Sequence, residues 1–131
     1  MVKRSECLAH QHLGWRFEWY VNEGGNSPAL EYYHEDLSEE EKDELTALFE
    51  FLAECNGLLR NKEKIRHEGD GFFAFKPKPH RFMAFFVMGK TVIITHGFEK
   101  KRDDLPPKEM KLAKSYRRDY KQRVKEGTYY E

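Results

Sequence analysis

An α+β domain, with a small, mostly antiparallel sheet and helices packed on one face, is the fold class that this 131-residue sequence predicts. Three observations carry the prediction. Residues 71–102 hold three runs of aromatic and β-branched side chains separated by turn residues, the pattern of a strand meander. Residues 38–57 hold an apolar stripe at i, i+3, i+4 and i+7 behind a capping box, the pattern of a core-facing helix. One strand-like alternation lies upstream and one proline-started helix downstream, so the order is strand, helices, meander, helix.

Residues 1–14 show no periodicity and read as a loose lead-in. Residues 15–21 alternate, with Trp15, Phe17, Trp19 and Val21 on one face and Arg16, Glu18 and Tyr20 on the other, as in a half-buried strand. Gly24-Gly25 breaks the chain, and Ser27-Pro28 supplies a cap and first position for a short helix. In the next helix Ser38 and Glu41 form the capping box, and Leu45, Leu48, Phe49 and Leu52 form the stripe. Asn56-Gly57 supplies the stop. Residues 58–70 are polar and irregular. The meander strands are residues 72–75, 80–88 and 91–96, with Lys76-Pro77-Lys78-Pro79 and Gly89-Lys90 between them. Pro106-Pro107 opens a basic final helix with Met110, Ala113 and Tyr120 on one stripe; residues 126–131 are expected to fray. The whole of 1–131 reads as a single domain.

No apolar run reaches the 18 residues of a membrane span, and MVKRSECLAH lacks a signal-peptide core, so a cytoplasmic protein without a membrane is expected. Cys7 and Cys55 read as free thiols. His10 and His12 lie in the expected lead-in with no carboxylate near them in sequence, so neither a metal nor a cofactor is expected. The formal net charge of zero conceals an asymmetry. Residues 35–70 carry 12 acidic against 5 basic side chains, and residues 71–131 carry 15 basic against 7 acidic. The basic half can attract phosphates or an acidic protein; equally, the halves can attract each other within the fold.

The segment THGFEKKRDDLPPKEMKLAKSY resembles the closing signature of phage-derived toxins of the RelE/HigB/ParE superfamily. Those proteins end a strand on a histidine-glycine-phenylalanine word, here His96-Gly97-Phe98. A lysine pair, a proline, an acid and an alanine follow, here Lys100-Lys101, Pro106 or Pro107, Glu109 and Ala113. Upstream, residues 27–57 resemble the family's helical pair and residues 72–96 its arginine-bearing strands, with Lys76 in place of the first arginine and Arg81 at the second. The resemblance covers most of residues 15–120 and points to the HigB-like branch of type II toxin–antitoxin systems.

It implies a RelE-like fold and a ribosome-dependent endoribonuclease that cleaves messenger RNA without a metal. Its partners would be the ribosome, the message and a cognate antitoxin, expected to be a helix-turn-helix protein. In that reaction a ribose 2′-hydroxyl attacks its own phosphate, which calls for cations at the phosphorane and for an acid and a base. Lys76 and Arg81 are candidates for phosphate charge, His96 for acid or base, and Lys100 for either charge stabilisation or backbone binding. Lys78, Lys101 and Arg102 are candidates for holding RNA, and Tyr116 for stacking a base. Exchange of Lys76 or Arg81 for alanine is expected to remove charge rather than core. A second reading is a non-enzymatic module of the same fold, either a gyrase inhibitor of the ParE kind or an inactive relative that binds an antitoxin or another protein. Lys76 in place of the family's arginine and the neutral overall charge would suit it.

Overall fold

The computed structural model describes residues 1–101 and 104–131. Its elements are β1 (Leu8–His12), β2 (Trp15–Trp19), α1 (Pro28–Asp36), α2 (Glu39–Glu54), β3 (Ile65–Gly69), β4 (Phe72–Phe75), β5 (His80–Val87), β6 (Thr91–Glu99) and α3 (Pro107–Glu126). The strands form one sheet in the order β1-β2-β6-β5-β4-β3. Every neighbouring pair is antiparallel except β2 with β6, which run parallel from Arg16 opposite Thr91 to Trp19 opposite Ile94. The α+β class therefore holds, as a six-stranded mixed sheet carrying three helices. No helix among the described residues is long and apolar enough to cross a membrane.

Strand alternation divides the core into two layers. Phe17, Phe73, Phe75, Phe82, Ala84, Val92 and Ile94 face α1 and α2, where Phe49 stacks on Phe17 at 4.7 Å and meets Phe75 edge-on at 4.9 Å. Tyr20, Phe72, Ala74, Met83, Phe85 and Ile93 face the other way, against Ala113 and Tyr120 of α3. The expected placement of all helices on one face is thereby corrected. The meander strands are apolar on both faces because helices cover both. The helix starts follow the residues: the Ser27 hydroxyl accepts from the Leu30 N–H, Pro28 occupies the first position of α1, and Ser38 and Glu41 close a reciprocal capping box on α2. Gly97 permits the closest approach of α1 to the sheet. A Cβ there would lie 2.6 Å from the Tyr32 ring and 2.9 Å from the Phe82 ring.

Three segments differ from their expected state. Within residues 1–14, β1 pairs with β2 through a two-residue turn in which Leu13 (φ 49°) and Gly14 (φ 82°) both take the left-handed region. That is the geometry of a tight hairpin turn, and leucine is not its usual residue. Within 58–70, β3 adds a polar edge strand against β4. At the C-terminus, Gly127 (φ 73°) caps α3 and turns the chain back. Tyr129 is then 1% exposed, Tyr130 bridges Val2, and its hydroxyl donates to the buried Glu18 carboxylate at 2.6 Å. Arg16 Nε supplies a second donor to Glu18 at 2.6 Å. Both chain ends are thus tied to β2 through one carboxylate.

Tyr129→Ala should lower unfolding free energy by about 3–5 kcal/mol in a urea titration, the cost of emptying a large buried aromatic site. A tail that frayed would leave the transition where it was.

Candidate functional site

The turn between β4 and β5 and the chain leaving β6 meet at one rim of the sheet. Lys100 N–H donates to the Pro79 carbonyl at 2.9 Å, and His80 N–H to the Pro77 carbonyl at 2.9 Å, so the proline-bearing turn is fastened to the end of β6. Lys76, Lys78, Pro79, His80, Arg81, Lys100 and Lys101 line the cleft formed there, about 470 Å³ in volume. Five cations of the expected site are therefore gathered from two separate stretches of sequence.

Their electrostatics are mutual. Burial and then the positive charges of Arg81 and Arg66 hold the Lys76 ammonium below the usual lysine range, and the same causes in the same order act on Lys100. Lys76 Nζ also donates to the Lys62 carbonyl at 3.1 Å, which fixes the side chain along the β3 approach. Arg81 is 3% exposed, and its Nη1 lies 2.8 Å from Glu68 Oε2, a carboxylate whose side chain is 4% exposed. Arg66 Nε approaches the other oxygen of Glu68 at 3.6 Å. Two guanidinium groups thus approach the two oxygens of one buried carboxylate. The expectation that Arg81 could be exchanged without touching the core is corrected here: its removal would leave Glu68 buried with, among the described residues, only the longer Arg66 contact.

His96 and Tyr116 lie elsewhere. His96 is opposite Met83 on the α3 face, where Phe98, the next residue on that face, stacks on its ring at 5.7 Å, and Tyr116 meets it edge-on at 5.8 Å. Thr95 Oγ1, which donates to the Met83 carbonyl at 3.2 Å, is 3.0 Å from His96 Nδ1. The hydroxyl has one proton, so His96 Nδ1–H is the donor in that contact and Nε2 carries the lone pair. Glu109 Oε1 lies 3.4 Å from Nε2; the pair is within ion-pair range but makes no hydrogen bond, and Nε2 is buried without a partner. Burial pushes the His96 pKa down to about 4 and that of Glu109 up, so the imidazole is neutral at pH 7. Tyr116 packs on Tyr20 at 5.0 Å. Arg102 lies outside the described residues.

Sequence reasoning missed three contributors. Glu68 and Arg66 sit on the unforeseen strand β3. His80 is 6% exposed and lines the cleft, its Nδ1 2.6 Å from the Tyr32 hydroxyl and its Nε2 3.2 Å from Glu41. Glu41, held below the usual carboxylate range first by the Ser38 N–H, thus caps α2 and braces His80 together. A histidine within an aromatic strand was the only sequence signal for this contact. Basic side chains of α3 are partly tied to the body of the domain: Lys114 pairs with Asp70 at 2.9 Å, and the Arg117 guanidinium lies 4.1 Å over the Phe72 ring.

In comparison with known proteins, the family model described as Phage derived protein Gp49-like (DUF891) matches residues 33–118. The matched span includes α2, the whole meander, every described cation of the cleft and most of α3. No curated protein matches the chain significantly.

The burial of His96 makes a pH prediction. Its folded pKa lies below the unfolded value of about 6.5, so between about 6.5 and 4 the unfolded chain binds a proton that the folded chain does not. Stability is therefore lost as pH falls through that window, by up to roughly 3 kcal/mol from this group, while the raised Glu109 acts in the opposite sense. Urea unfolding between pH 7 and 4 should show a steeper loss in the wild type than in His96→Gln. Equal slopes would show that His96 titrates as an exposed histidine does.

Proposed function

The chain belongs to the phage-derived, Gp49-like family, and from that premise we propose that it is the toxin of a type II toxin–antitoxin pair, of the HigB-like branch, acting as a ribosome-dependent endoribonuclease on messenger RNA. The observation that carries this reading is the cleft at the sheet rim, where Lys76, Arg81 and Lys100 converge and where burial first, and then the neighbouring guanidinium charges, hold two lysine ammonium groups below their usual range. An anionic phosphate in the cleft relieves that mutual repulsion, and a phosphorane, with more charge, relieves it further. This is the condition for stabilising a transition state more than a ground state.

The residues divide the work as follows. Arg81, oriented by Glu68, and Lys100 face the non-bridging phosphate oxygens. Lys76, whose ammonium is held below the usual lysine range first by burial and then by the Arg81 charge, accepts the 2′-hydroxyl proton in its amine form as that oxygen attacks phosphorus. The phosphorus–5′-oxygen bond then breaks, the 5′-oxygen takes a proton from a cleft cation or water, and a 2′,3′-cyclic phosphate and a 5′-hydroxyl remain. Lys78 and Lys101, exposed at the mouth, hold the neighbouring backbone. His96 and Tyr116 act from beneath, fixing α3 against β6. A neighbouring-gene antitoxin would silence the toxin by covering the cleft.

One observation favours a second reading, a binding module that acts on gyrase or on another protein. Arg81, the most buried cation of the cleft, is already paired with Glu68.

Induced expression of the chain should arrest growth and cut translated messages. Lys76→Ala should lower cleavage of ribosome-bound message by about 10²–10³ with its urea transition unmoved. Arg81→Ala should in addition destabilise the fold by about 3–5 kcal/mol, because it strands a buried carboxylate. Intact messages in arrested cells, with supercoiling by gyrase blocked, would select the second reading. Continued growth would refute the toxin assignment.

A further inference from the structure

At the β1 edge of the sheet, β1 and α2 bring together His10, His12, Glu50 and Glu54. His10 and His12 are two apart on one strand, so their rings project from the same face, stacked at 6.3 Å and 21°. Glu50 and Glu54 are one helical turn apart on α2. Glu50 Oε2 stands between the rings, 2.9 Å from His10 Nε2 and 3.8 Å from His12 Nδ1, and Glu54 Oε2 lies 3.2 Å from His12 Nε2. His10 is held in place by Phe17 and Phe49, at ring distances of 6.5 and 6.3 Å.

Each imidazole turns one nitrogen toward Glu50 Oε2, and the second nitrogen of His12 is satisfied by Glu54. When His12 Nε2–H donates to Glu54, the Nδ1 lone pair faces Glu50 Oε2, an acceptor, and a divalent cation between them is bound by both. We propose that His10 Nε2, His12 Nδ1 and Glu50 Oε2 form a site for a transition-metal ion of the Zn²⁺ class. The three ligand atoms lie within 4.8 Å of one another. The separations of 2.9 and 3.8 Å bracket the roughly 3.4 Å between neighbouring ligands of a tetrahedral zinc with bonds near 2.0–2.1 Å.

The surrounding groups agree with this choice of ion. Glu54 becomes the outer carboxylate that orients His12 through its second nitrogen, the usual support for a ligating histidine. His10 moves its ring proton to Nδ1 when Nε2 binds the metal. Two imidazoles and one carboxylate suit zinc and its neighbours, while magnesium and calcium require more oxygen ligands. The ligand side chains are 26%, 29% and 39% exposed, so an ion can enter from solvent and keep water in its fourth position. The site would clamp β1, a sheet edge, onto α2. The expectation of no metal rested on His10 and His12 lying in a loop without a nearby carboxylate; the structure puts them on a strand and supplies the carboxylates from residues 40 positions away.

Chelator-treated full-length protein, titrated calorimetrically with zinc sulfate, should bind one ion per chain with micromolar or tighter affinity. Zinc should raise its thermal transition in proportion to the logarithm of free metal, whereas magnesium and calcium should leave it unmoved. Glu54→Gln should weaken binding about 10–100-fold, and His12→Asn or Glu50→Gln should abolish this site, with circular dichroism confirming that each variant is folded. Cobalt bound to the wild type should show a tetrahedral visible spectrum that zinc displaces. Absence of zinc binding by the wild type up to millimolar concentration would overturn the proposal. Binding undiminished in folded His12→Asn and Glu50→Gln would overturn it as well. Neither outcome depends on nuclease activity.

Discussion

The parallel pairing of β2 with β6 is the constraint on which the rest of the structure depends. It places β6 in the middle of the sheet, with β2 on one side and β5 on the other. A parallel neighbour requires a crossover connection, and here the chain between β2 and β6 contains α1, α2 and the whole of the β3–β5 meander. Because β6 is central, it is covered on both faces, and successive residues answer to different layers. Ile94 meets the α1–α2 layer and Ile93 the α3 layer. Gly97 lets Tyr32 and Phe82 close over the strand, while Phe98 packs beside His96 under α3. What leaves the end of so crowded a strand is held in place, and Lys100 is the first residue to leave it.

Charge is distributed around that frame with the same economy of partners. Glu68 is buried, and buried carboxylates persist when paired. It takes Arg81 and Arg66 together, which fixes the floor of the cleft. Glu18 plays the corresponding part on β2, accepting from Arg16 and Tyr130 and, with Arg4 at 3.7 Å, drawing in the two chain ends. The acidic surface of α2 is only in part a solvated face. Glu41 reaches His80, while Glu50 and Glu54 reach His10 and His12, so one helix touches both the back of the cationic cleft and the edge strand from different sides and different turns.

Much of the architecture was legible because it rests on local rules. The capping box at Ser38 and the stripe from Leu45 to Leu52 are properties of consecutive residues, as are the strands of the meander. Strand β3 was not legible. Its residues, Ile65 to Gly69, are mostly polar because they form an edge, and Glu68 and Arg66 acquire their meaning only from Arg81 two strands away. Strand β1 was hidden by a leucine in the left-handed region of its turn, a conformation that propensity argues against. The tail looked free because burial of Tyr129 depends on a turn back across Val21 and Val2, which no short window contains.

The sequence by itself determined the α+β class, the principal helices and meander strands, and the residue types of the cationic rim, since spacing along one chain specifies which side chains share a face. Tertiary structure alone decided which of those residues meet. It joined Lys76 and Lys78 to Lys100 and Lys101 across the β5–β6 pair, withdrew His96 beneath α3, and set α3 on the far side of the sheet. It also brought two carboxylates of α2 to the histidines of β1. These are contacts between residues far apart in sequence. Their energies depend on burial and on the charges packed against each group, quantities that exist only once the chain has folded.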